Sequence, residues 1–499
     1  MIMLLVCFII LCISYYVVNS KKKFSYWKKR RVPHPPFSTF FGNISESIFL
    51  KKNLGQIMDD IYKAYPNLPY VGIYKIREPT LLIRDPKLVN EILVKDFPSF
   101  YANDIDIDKD ADYLMAKNPF FSNGTEWKTS RGQLAPSFTN HKMKSIFPLM
   151  ESVCQNFVDH LEDPTVANVG TNIKTLCEKY TMDVVALSVL GLEANSFKSV
   201  DNDYLTNIKK IIAPGYLMAI KLTILLVIPA LAKIFKLKLS TSHSVYKRNI
   251  IKNALNYRQQ NGIIRNDFLQ TMQELQQKLG KDEFSDNHIT AHTLSFFIDG
   301  YETSSIVLTF LLYEIGANIE HQNKLREEIE NALKNGNGKF IFELIHDMVY
   351  LNNFLNESMR LHSPVFILTK RCTKPYMLPP VDNNSKEVLI EPGTPVFIPV
   401  HSIHYDSQYF PNSEKFDPER FSGENELTKS TFLPFSEGPR KCIGQKFAIA
   451  QIKVVIAHLV LNYDIRVNPK TRVPLEIDPA YFLLTAKGGI WLNFFKRKN

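Results

Sequence analysis

The chain contains 499 residues, enough for one large catalytic domain or about three small ones. Hydrophobic residues make up 45% and charged residues 22% of the sequence, which excludes a disordered chain, a fibrous repeat and a polytopic membrane protein. The formal net charge of +10 comes from seven basic residues within positions 21–31 and three within positions 496–498, so the other 50 basic residues balance the 50 acidic ones. Because a nucleic-acid-binding body would carry its own basic excess, we expect no nucleic-acid partner.

The N-terminal segment is predicted to anchor the chain in a membrane. Residues 1–18 carry no charged side chain, and as a helix they would span roughly 27 Å, close to the hydrocarbon thickness of a bilayer. A cleaved signal peptide would begin with basic residues, whereas here the basic cluster follows the apolar run and therefore favours a cytoplasmic body. We assign residues 1–20 to a single-pass anchor, 21–36 to a basic, proline-rich linker and 37–499 to one catalytic domain. An uncleaved apolar helix packed on the body is the alternative to the anchor.

The body is predicted to be mostly α-helical, with a smaller β-rich lobe built near its two ends. Asp85 suits a helix N-cap and Pro86 suits the first helical position. The predicted elements are a hairpin of residues 70–74 and 81–83 with its turn at 78–80, a helix over 86–95, amphipathic helices across 141–330, and strands over 388–400 and 489–494.

Two further features of the body have two interpretations each. Residues 222–232 are apolar, interrupted by Pro229 and too short to span a bilayer, so they form either a buried core helix or a loop near Leu222 that dips into the membrane surface. The anchor favours the second interpretation. His401 and His404 lack a third ligand in the sequence around them, so we predict surface histidines rather than a metal site.

One cysteine lies in a sequence context that indicates chemistry. Cys442 follows the turn-forming pair Gly438-Pro439 and precedes Gly444. Neighbouring cations and the start of a following helix would favour its thiolate, which is a soft ligand for iron. A single axial thiolate on haem iron favours cleavage of the O–O bond. Without this loop, a structural buried cysteine would be the simpler interpretation.

The loop resembles the FxxGxRxCxG signature of the cytochrome P450 superfamily, with Phe435, Gly438, Arg440, Cys442 and Gly444 at the fixed positions. The resemblance extends over nearly the whole chain and is strongest to insect microsomal enzymes that metabolise xenobiotics. It implies the cytochrome P450 fold with an N-terminal transmembrane helix. It also implies haem b as the cofactor, with the thiolate of Cys442 as the axial metal ligand and Arg440 on a haem propionate.

Two more motifs of that family are present. Glu357 and Arg360 resemble the ExxR helix motif, and Arg420 lies in a segment similar to the family's meander. The resemblance implies that these three residues form a network in which two guanidinium groups hold one buried carboxylate. Trp127 and Arg131 resemble the WxxxR motif, which in the family binds the haem propionates.

A central segment resembles the family's oxygen-activation motif, (A/G)Gx(D/E)T. The resemblance implies that Gly300 lets the long helix open beside the haem, that Thr303 donates a hydrogen bond to oxygen, and that Glu302 relays protons with help from Ser304. Asp299 departs from the family, which usually has alanine or glycine there. We expect this carboxylate to lie against haem or substrate and to be hydrogen-bonded to water and Thr303 or to have a raised pKa.

The resemblance implies a monooxygenase that inserts one atom of O2 into an apolar small molecule such as a xenobiotic, an insecticide, a hormone or a lipid. NADPH would supply the electrons indirectly through NADPH-cytochrome P450 reductase, with cytochrome b5 as a second candidate donor, and Lys128, Lys441 and Lys446 are candidates for the docking contact. The expected location is the endoplasmic reticulum membrane, with a cytoplasmic catalytic body. The alternatives are a haem-thiolate isomerase or dehydratase and a catalytically silent, membrane-anchored haem-binding protein.

Overall fold

A computed structural model of the chain describes residues 16, 20, 22–105, 107–163, 170–198, 216–239, 244–423 and 430–497. The anchor predicted at residues 1–20 lies outside the described residues, apart from Tyr16 and Ser20. Among the helices of the described part, none combines the length and the apolar character needed to cross a bilayer.

Helices dominate the described residues, as predicted. The α-helices, numbered α1 to α18 in chain order, are Tyr26–Lys29, Ser45–Ile48, Leu54–Ala64, Pro86–Asn90, Tyr113–Ala116, Gly124–Leu134, Asn140–Leu161, Ile173–Val185, Tyr216–Val227, Pro229–Ile234, Ser244–Asn261, Phe268–Leu279, Asp286–Ala317, Ile319–Asn335, Phe342–Asp347, Val349–Leu361, Val400–His404 and Gln445–Asn462. Shorter π-helical turns are Glu91–Lys95 and Ala186–Leu190, and 3-10 turns are Phe97–Ser99, Ala135–Phe138, Pro418–Phe421 and Gly438–Arg440.

Three small sheets form the β-rich part. The strands, numbered β1 to β9, are Tyr70–Lys75, Glu78–Ile83, Thr171–Asn172, Ile367–Arg371, Tyr376–Leu378, Val388–Ile390, Pro395–Pro399, Tyr463–Val467 and Trp491–Lys496. The largest sheet has the order β1-β2-β7-β4, in which only β2 and β7 run parallel. The other two sheets have the orders β3-β9-β8 and β5-β6. The largest sheet therefore joins strands from residues 70–83 with strands from residues 367–399, β8 packs against the helical part, and the helices form the bulk of the described residues.

Helix α13 is the central element of the helical part. Ser285 and His288 form a capping box that starts it, and the helix then continues for 32 residues. Its second half is buried on nearly all sides, which is typical of a helix surrounded by other helices. It packs against α8, α16, α18 and β8, so residues on α13 can reach several faces of the interior.

Part of the segment predicted as a linker packs on the folded body. Trp27 is fully buried, and its indole N–H donates to the carbonyl of Ile73 in β1 at 2.9 Å. The amide of Gly72 donates to the carbonyl of Pro33 at 2.9 Å. Residues around these contacts therefore belong to the wall of the β-rich lobe, while the domain boundary at residue 36 stays a prediction.

The predicted elements differ from the structure mainly at turns. The hairpin turn was expected at residues 78–80, but Glu78 pairs with Lys75 and Thr80 with Ile73, so the turn consists of Ile76 and Arg77. The single strand expected over 388–400 is two strands, because Gly393 adopts a left-handed backbone with φ +95° between them.

Other boundaries agree more closely with the prediction. The Asp85 carboxylate caps α4 by accepting from the amide of Lys87, and a π-helical turn continues that helix to Lys95. The C-terminal strand β9 starts and ends two residues later than expected.

The apolar stretch 222–232 has features of both interpretations. It forms the end of α9 and most of α10, with Pro229 in the first turn of α10. Leu225 and Leu226 are buried, as a core helix requires. Just beyond the stretch, Ile234 and Phe235 are 74% and 71% exposed, so an apolar surface lies next to the buried part.

Candidate active site

The cysteine loop has a fixed backbone geometry. Gly438 has φ +72°, and a Cβ at this position would lie 2.0 Å from the carbonyl oxygen of Leu93, so only glycine fits there. The 3-10 turn that begins at Gly438 is followed by Cys442, whose amide donates to the carbonyl of Phe435 at 2.9 Å. Gly444 then caps α18. The sequence of the loop therefore determines where the sulfur atom lies.

Cys442 lies in a recess of the protein. Its side chain is accessible, although protein groups surround it closely enough that burial raises the pKa of the thiol. The N–H of Gly444 and the charges of Arg131 and Lys441 lower that pKa, but they do not outweigh burial and the negative charge of Asp299. The chain alone therefore favours the thiol, whereas binding of a metal cation to the sulfur would displace the proton.

Three cationic side chains gather near this recess. Arg131 on α6 donates to the carbonyl of Lys441 at 2.7 Å, so it also holds the backbone just before the cysteine. The guanidinium of Arg440 lies 4.6 Å from the ring centre of Trp127. Burial and the charges of Arg440 and Arg131 lower the pKa of Lys370 to about 7, which places this buried lysine of β4 beside the two arginines. The sequence motifs identified the arginines and Trp127 but gave no sign of Lys370, which is buried in β4.

The polar contacts of Arg440 test whether this region fits haem carboxylates. Its Nη atoms donate to the carbonyls of Pro119 and Ser122 and to the side chain of Asn123, at 2.8–3.0 Å. Its Nε is buried and has no hydrogen-bond partner among the described residues. Burial lowers the pKa of Arg440 to about 9, because a desolvated guanidinium crowded by Arg131 lacks a counter-ion. The unpaired Nε and the cationic cluster fit a group that carries carboxylates. The accessible cysteine beside them fits a group that carries an iron atom.

Asp299 faces the same recess from α13. Its side chain is accessible, yet burial raises its pKa to about 7, and its charge acts on the thiol of Cys442. Both carboxylate oxygens accept from the amide nitrogen of Asn118, at 3.0 and 3.2 Å. The hydroxyl of Thr303 donates to the backbone carbonyl of Asp299 at 2.6 Å, not to its carboxylate. The expected raised pKa is present, while the hydrogen-bond partner is Asn118 rather than Thr303.

Helix α13 runs unbroken through Gly300, so the expected opening of the helix is not present. A Cβ at this glycine would make only ordinary contacts, the nearest at 3.6 Å to Val185. Packing within the chain therefore does not require glycine here, because an alanine side chain would fit against Val185 and Phe296.

The two other polar residues of the central motif bond to neighbouring helices. Glu302 accepts from the ammonium of Lys174 on α8 at 2.9 Å. Burial alone would lower the pKa of Lys174, but Glu302 and Glu178 together raise it above the usual value. The hydroxyl of Ser304 accepts from the amide of Gln451 on α18 at 2.8 Å. Neither residue hydrogen-bonds to Thr303, so the structure does not join these residues into a direct relay.

The predicted network around Glu357 is present. Arg360 donates to both carboxylate oxygens at 2.7 and 2.8 Å, and Arg420 donates to one of them at 3.4 Å. The amide of Asp417 adds a fourth donor at 2.9 Å. Glu357 and Arg360 are both fully buried, so each charge depends on the other for compensation.

His404 connects this network to the cysteine loop, and it is not the surface histidine that the sequence predicts. It is fully buried at the end of α17. Its Nδ1 lies 3.0 Å from the carbonyl of Arg360, and its Nε2 accepts from the amide of Leu433, which precedes the loop, at 2.9 Å. Burial lowers the pKa of His404 to about 3, so the ring is neutral and donates from Nδ1.

Comparison with known proteins gives a consistent result. The family model described as Cytochrome P450 matches residues 32–493. The chain is 35% identical to Cytochrome P450 6j1 of Blattella germanica, in an alignment that covers 96% of this chain and 95% of that protein. It is 33% identical to Cytochrome P450 6k1 of the same insect, over 97% and 94% of the two chains. It is 34% identical to Cytochrome P450 6B2 of Helicoverpa armigera, over 96% and 95%.

We predict that His404 makes folding sensitive to acid. Below the ordinary histidine pKa of about 6.5 the unfolded chain binds a proton at this position, whereas the folded chain resists protonation until about pH 3. The free energy of unfolding should therefore fall by up to about 1.4 kcal/mol per pH unit as the pH decreases from 6.5 to 4. When urea unfolding is measured over this pH range, the free energy of unfolding of His404→Gln should depend less steeply on pH than that of wild type.

The exposed His141 on α7 offers the matched control for that measurement. His141→Gln should leave the pH dependence of unfolding unchanged. Equal slopes for wild type and His404→Gln would contradict the buried, neutral state of His404.

Proposed function

Because the chain belongs to the cytochrome P450 family and is a monooxygenase, we propose that it inserts one oxygen atom of O2 into an apolar small molecule with electrons that originate from NADPH. The reaction consumes a C–H bond, O2, two electrons and two protons, and yields a hydroxyl group and water. A xenobiotic, an insecticide, a hormone or a lipid would all suit an apolar site.

The observation that supports this proposal most directly is the accessible sulfur of Cys442 in a loop that permits no other geometry. Haem, when bound, would supply the redox chemistry of O2 through an iron–thiolate centre. Cys442 would hold the iron, while Trp127, Arg131, Arg440 and the newly identified Lys370 would hold the carboxylate edge of the cofactor.

The chain's own contribution to proton transfer would centre on Thr303. Its hydroxyl hydrogen points to the carbonyl of Asp299, so the oxygen can accept a hydrogen bond from the cavity side. We propose that the hydroxyl rotates to donate a proton at Oγ1 when oxygen is activated. Glu302, held by Lys174, would set the local charge and refill protons through water, and Ser304 would fix α13 against α18 in addition to any assisting role.

Electron delivery requires a partner protein. We propose NADPH-cytochrome P450 reductase, with cytochrome b5 as a second donor, docking near the cysteine loop. Lys446 is exposed next to this loop and donates to Asn140 at 2.7 Å, so it is one basic group available on that face. Electron supply also distinguishes the rival functions, because an isomerase or dehydratase needs no reductase and a silent haem protein turns nothing over.

The proposed location is the endoplasmic reticulum membrane, with residues 1–20 as the anchor. The exposed Ile234 and Phe235 at the end of α10 support a second, peripheral contact near the predicted loop at Leu222.

Reconstitution with NADPH-cytochrome P450 reductase tests the reaction. With alkylbenzene probes and isotopically labelled dioxygen, wild type should consume NADPH and place one labelled atom in the product. Thr303→Ala should lower the product formed per NADPH by roughly tenfold and release hydrogen peroxide instead, because proton delivery is impaired.

Thr309, on the same helix, is the control because its hydroxyl also donates to the carbonyl four residues earlier. Thr309→Ala should keep the wild-type ratio of product to NADPH. Unlabelled product would contradict O2 as the source of the oxygen atom, and turnover without NADPH would contradict the proposed electron supply. An unchanged ratio of product to NADPH in Thr303→Ala would contradict the role of Thr303.

Removal of residues 1–20 should leave a folded body that still binds phospholipid vesicles weakly. The double change Ile234→Ser and Phe235→Ser should reduce the fraction that sediments with vesicles, because it removes exposed apolar surface. Ile264 is 81% exposed elsewhere, so Ile264→Ser should have no effect. Equal sedimentation of the truncated protein with and without the double change would disprove the peripheral contact.

A further inference from the structure

Among the described residues, the carboxylate of Asp299 pairs with no cation, although it lies near enough to Cys442 to act on its thiol. We propose that Asp299 and Asn118 form a binding subsite for the protonated amine of a substrate. The substrate class would then include small apolar molecules that carry one cationic nitrogen. This inference rests on the proposed function, since it concerns what enters the same site.

The amide of Asn118 has a fixed orientation. Its Oδ1 accepts from the amide of Phe120 at 2.7 Å, so its Nδ2 must point to Asp299. The side chain is fully buried and cannot flip without losing both sets of contacts. Asn118 therefore holds the carboxylate of Asp299 in one position and leaves the rest of it open.

The carboxylate has acceptor capacity that the chain does not use. An ionised carboxylate offers about four acceptor directions, and the one Asn118 amide group is the hydrogen-bond donor observed here. Within the described residues, no lysine, arginine or histidine forms an ion pair with Asp299. Only burial and Asn118 shift its pKa, so the cations near Cys442 do not neutralise it. A partly desolvated carboxylate without a cation is unfavourable, and a cationic ligand would remove that penalty.

The position of Asp299 directs a ligand toward the reacting centre. Asp299 lies one helical turn before Thr303, and its charge is felt at the sulfur of Cys442. A substrate nitrogen bound at the carboxylate of Asp299 would therefore hold the substrate in the recess, close to Thr303 and Cys442. The arginines and Lys370 form a separate positive region, which would not attract an ammonium group.

Binding of two matched probes to the full-length haem-loaded enzyme in detergent micelles tests the subsite. The probes are N,N-dimethyl-3-phenylpropylamine, protonated at neutral pH, and (4-methylpentyl)benzene, which has the same shape without the charge. By calorimetry, wild type should prefer the amine, and Asp299→Asn should reduce this preference by about 10- to 100-fold. Asp299→Glu should retain part of it. Asp282 is exposed just before the start of α13, several helical turns from Asp299, so Asp282→Asn should keep the wild-type preference.

Several results would overturn the subsite. They are no preference for the amine in wild type, an unchanged preference in Asp299→Asn, a spectrum showing the amine nitrogen on the iron, or haem that resists acid–organic extraction because Asp299 is esterified to it. A wild type without preference for the amine refutes the subsite even if Asp299→Asn does not fold, and Asp299→Glu then serves as the second variant. Incorporation of labelled oxygen into the hydrocarbon probe separates the two proposals: oxidation without amine preference refutes only the subsite, whereas no oxidation of either probe refutes the proposed function.

Discussion

The buried carboxylate of Glu357 is the constraint on which the rest of the site depends. Arg360 binds it through two hydrogen bonds inside the protein, and neither charge has access to water. Removing one partner of such a pair typically destabilises a protein by about 3–5 kcal/mol, because the remaining charge is left uncompensated. From Arg360 the connection continues through His404 to the amide of Leu433, just before the cysteine loop. The position of the Cys442 sulfur in its loop is therefore coupled to the buried Glu357–Arg360 ion pair on α16.

The recess that this framework supports has an uneven distribution of charge. Arg131, Arg440 and Lys370 form a positive region in which the buried Nε of Arg440 has no hydrogen-bond partner in the described part of the chain, so anionic groups would stabilise this region. Asp299 on α13 has the opposite charge, and a cation or a hydrogen-bond donor would stabilise its desolvated carboxylate. A cofactor with carboxylates would satisfy the first region, and the proposed basic substrate would satisfy the second, so one recess would suit two chemically different ligands side by side.

The sequence predicted those features that depend on local patterns. The Cys442 loop and the Glu357–Arg360 pair could be recognised by their resemblance to family motifs, because each motif lies within one short segment, and the mostly helical body could be predicted from hydrophobic periodicity. The roles of Lys370 and Asn118 could not be predicted in this way. Lys370 on β4 lies near Arg131 and Arg440, and Asn118, in the loop after α5, contacts Asp299, so both roles depend on residues that are distant in the sequence. The same limitation explains His404: its neighbours in the sequence suggest a surface, whereas its contacts with Arg360 and Leu433 exist only in the folded chain.

The central claim is that the sulfur of Cys442 binds haem iron, and the absorption spectrum of the reduced carbon monoxide complex tests it most directly. Wild type should show the red-shifted Soret band that thiolate ligation produces. Cys372 is buried elsewhere, so Cys372→Ser should give the same band, whereas Cys442→Ser should lose it. Retention of the red-shifted band in Cys442→Ser would show that another group binds the iron and would contradict the account.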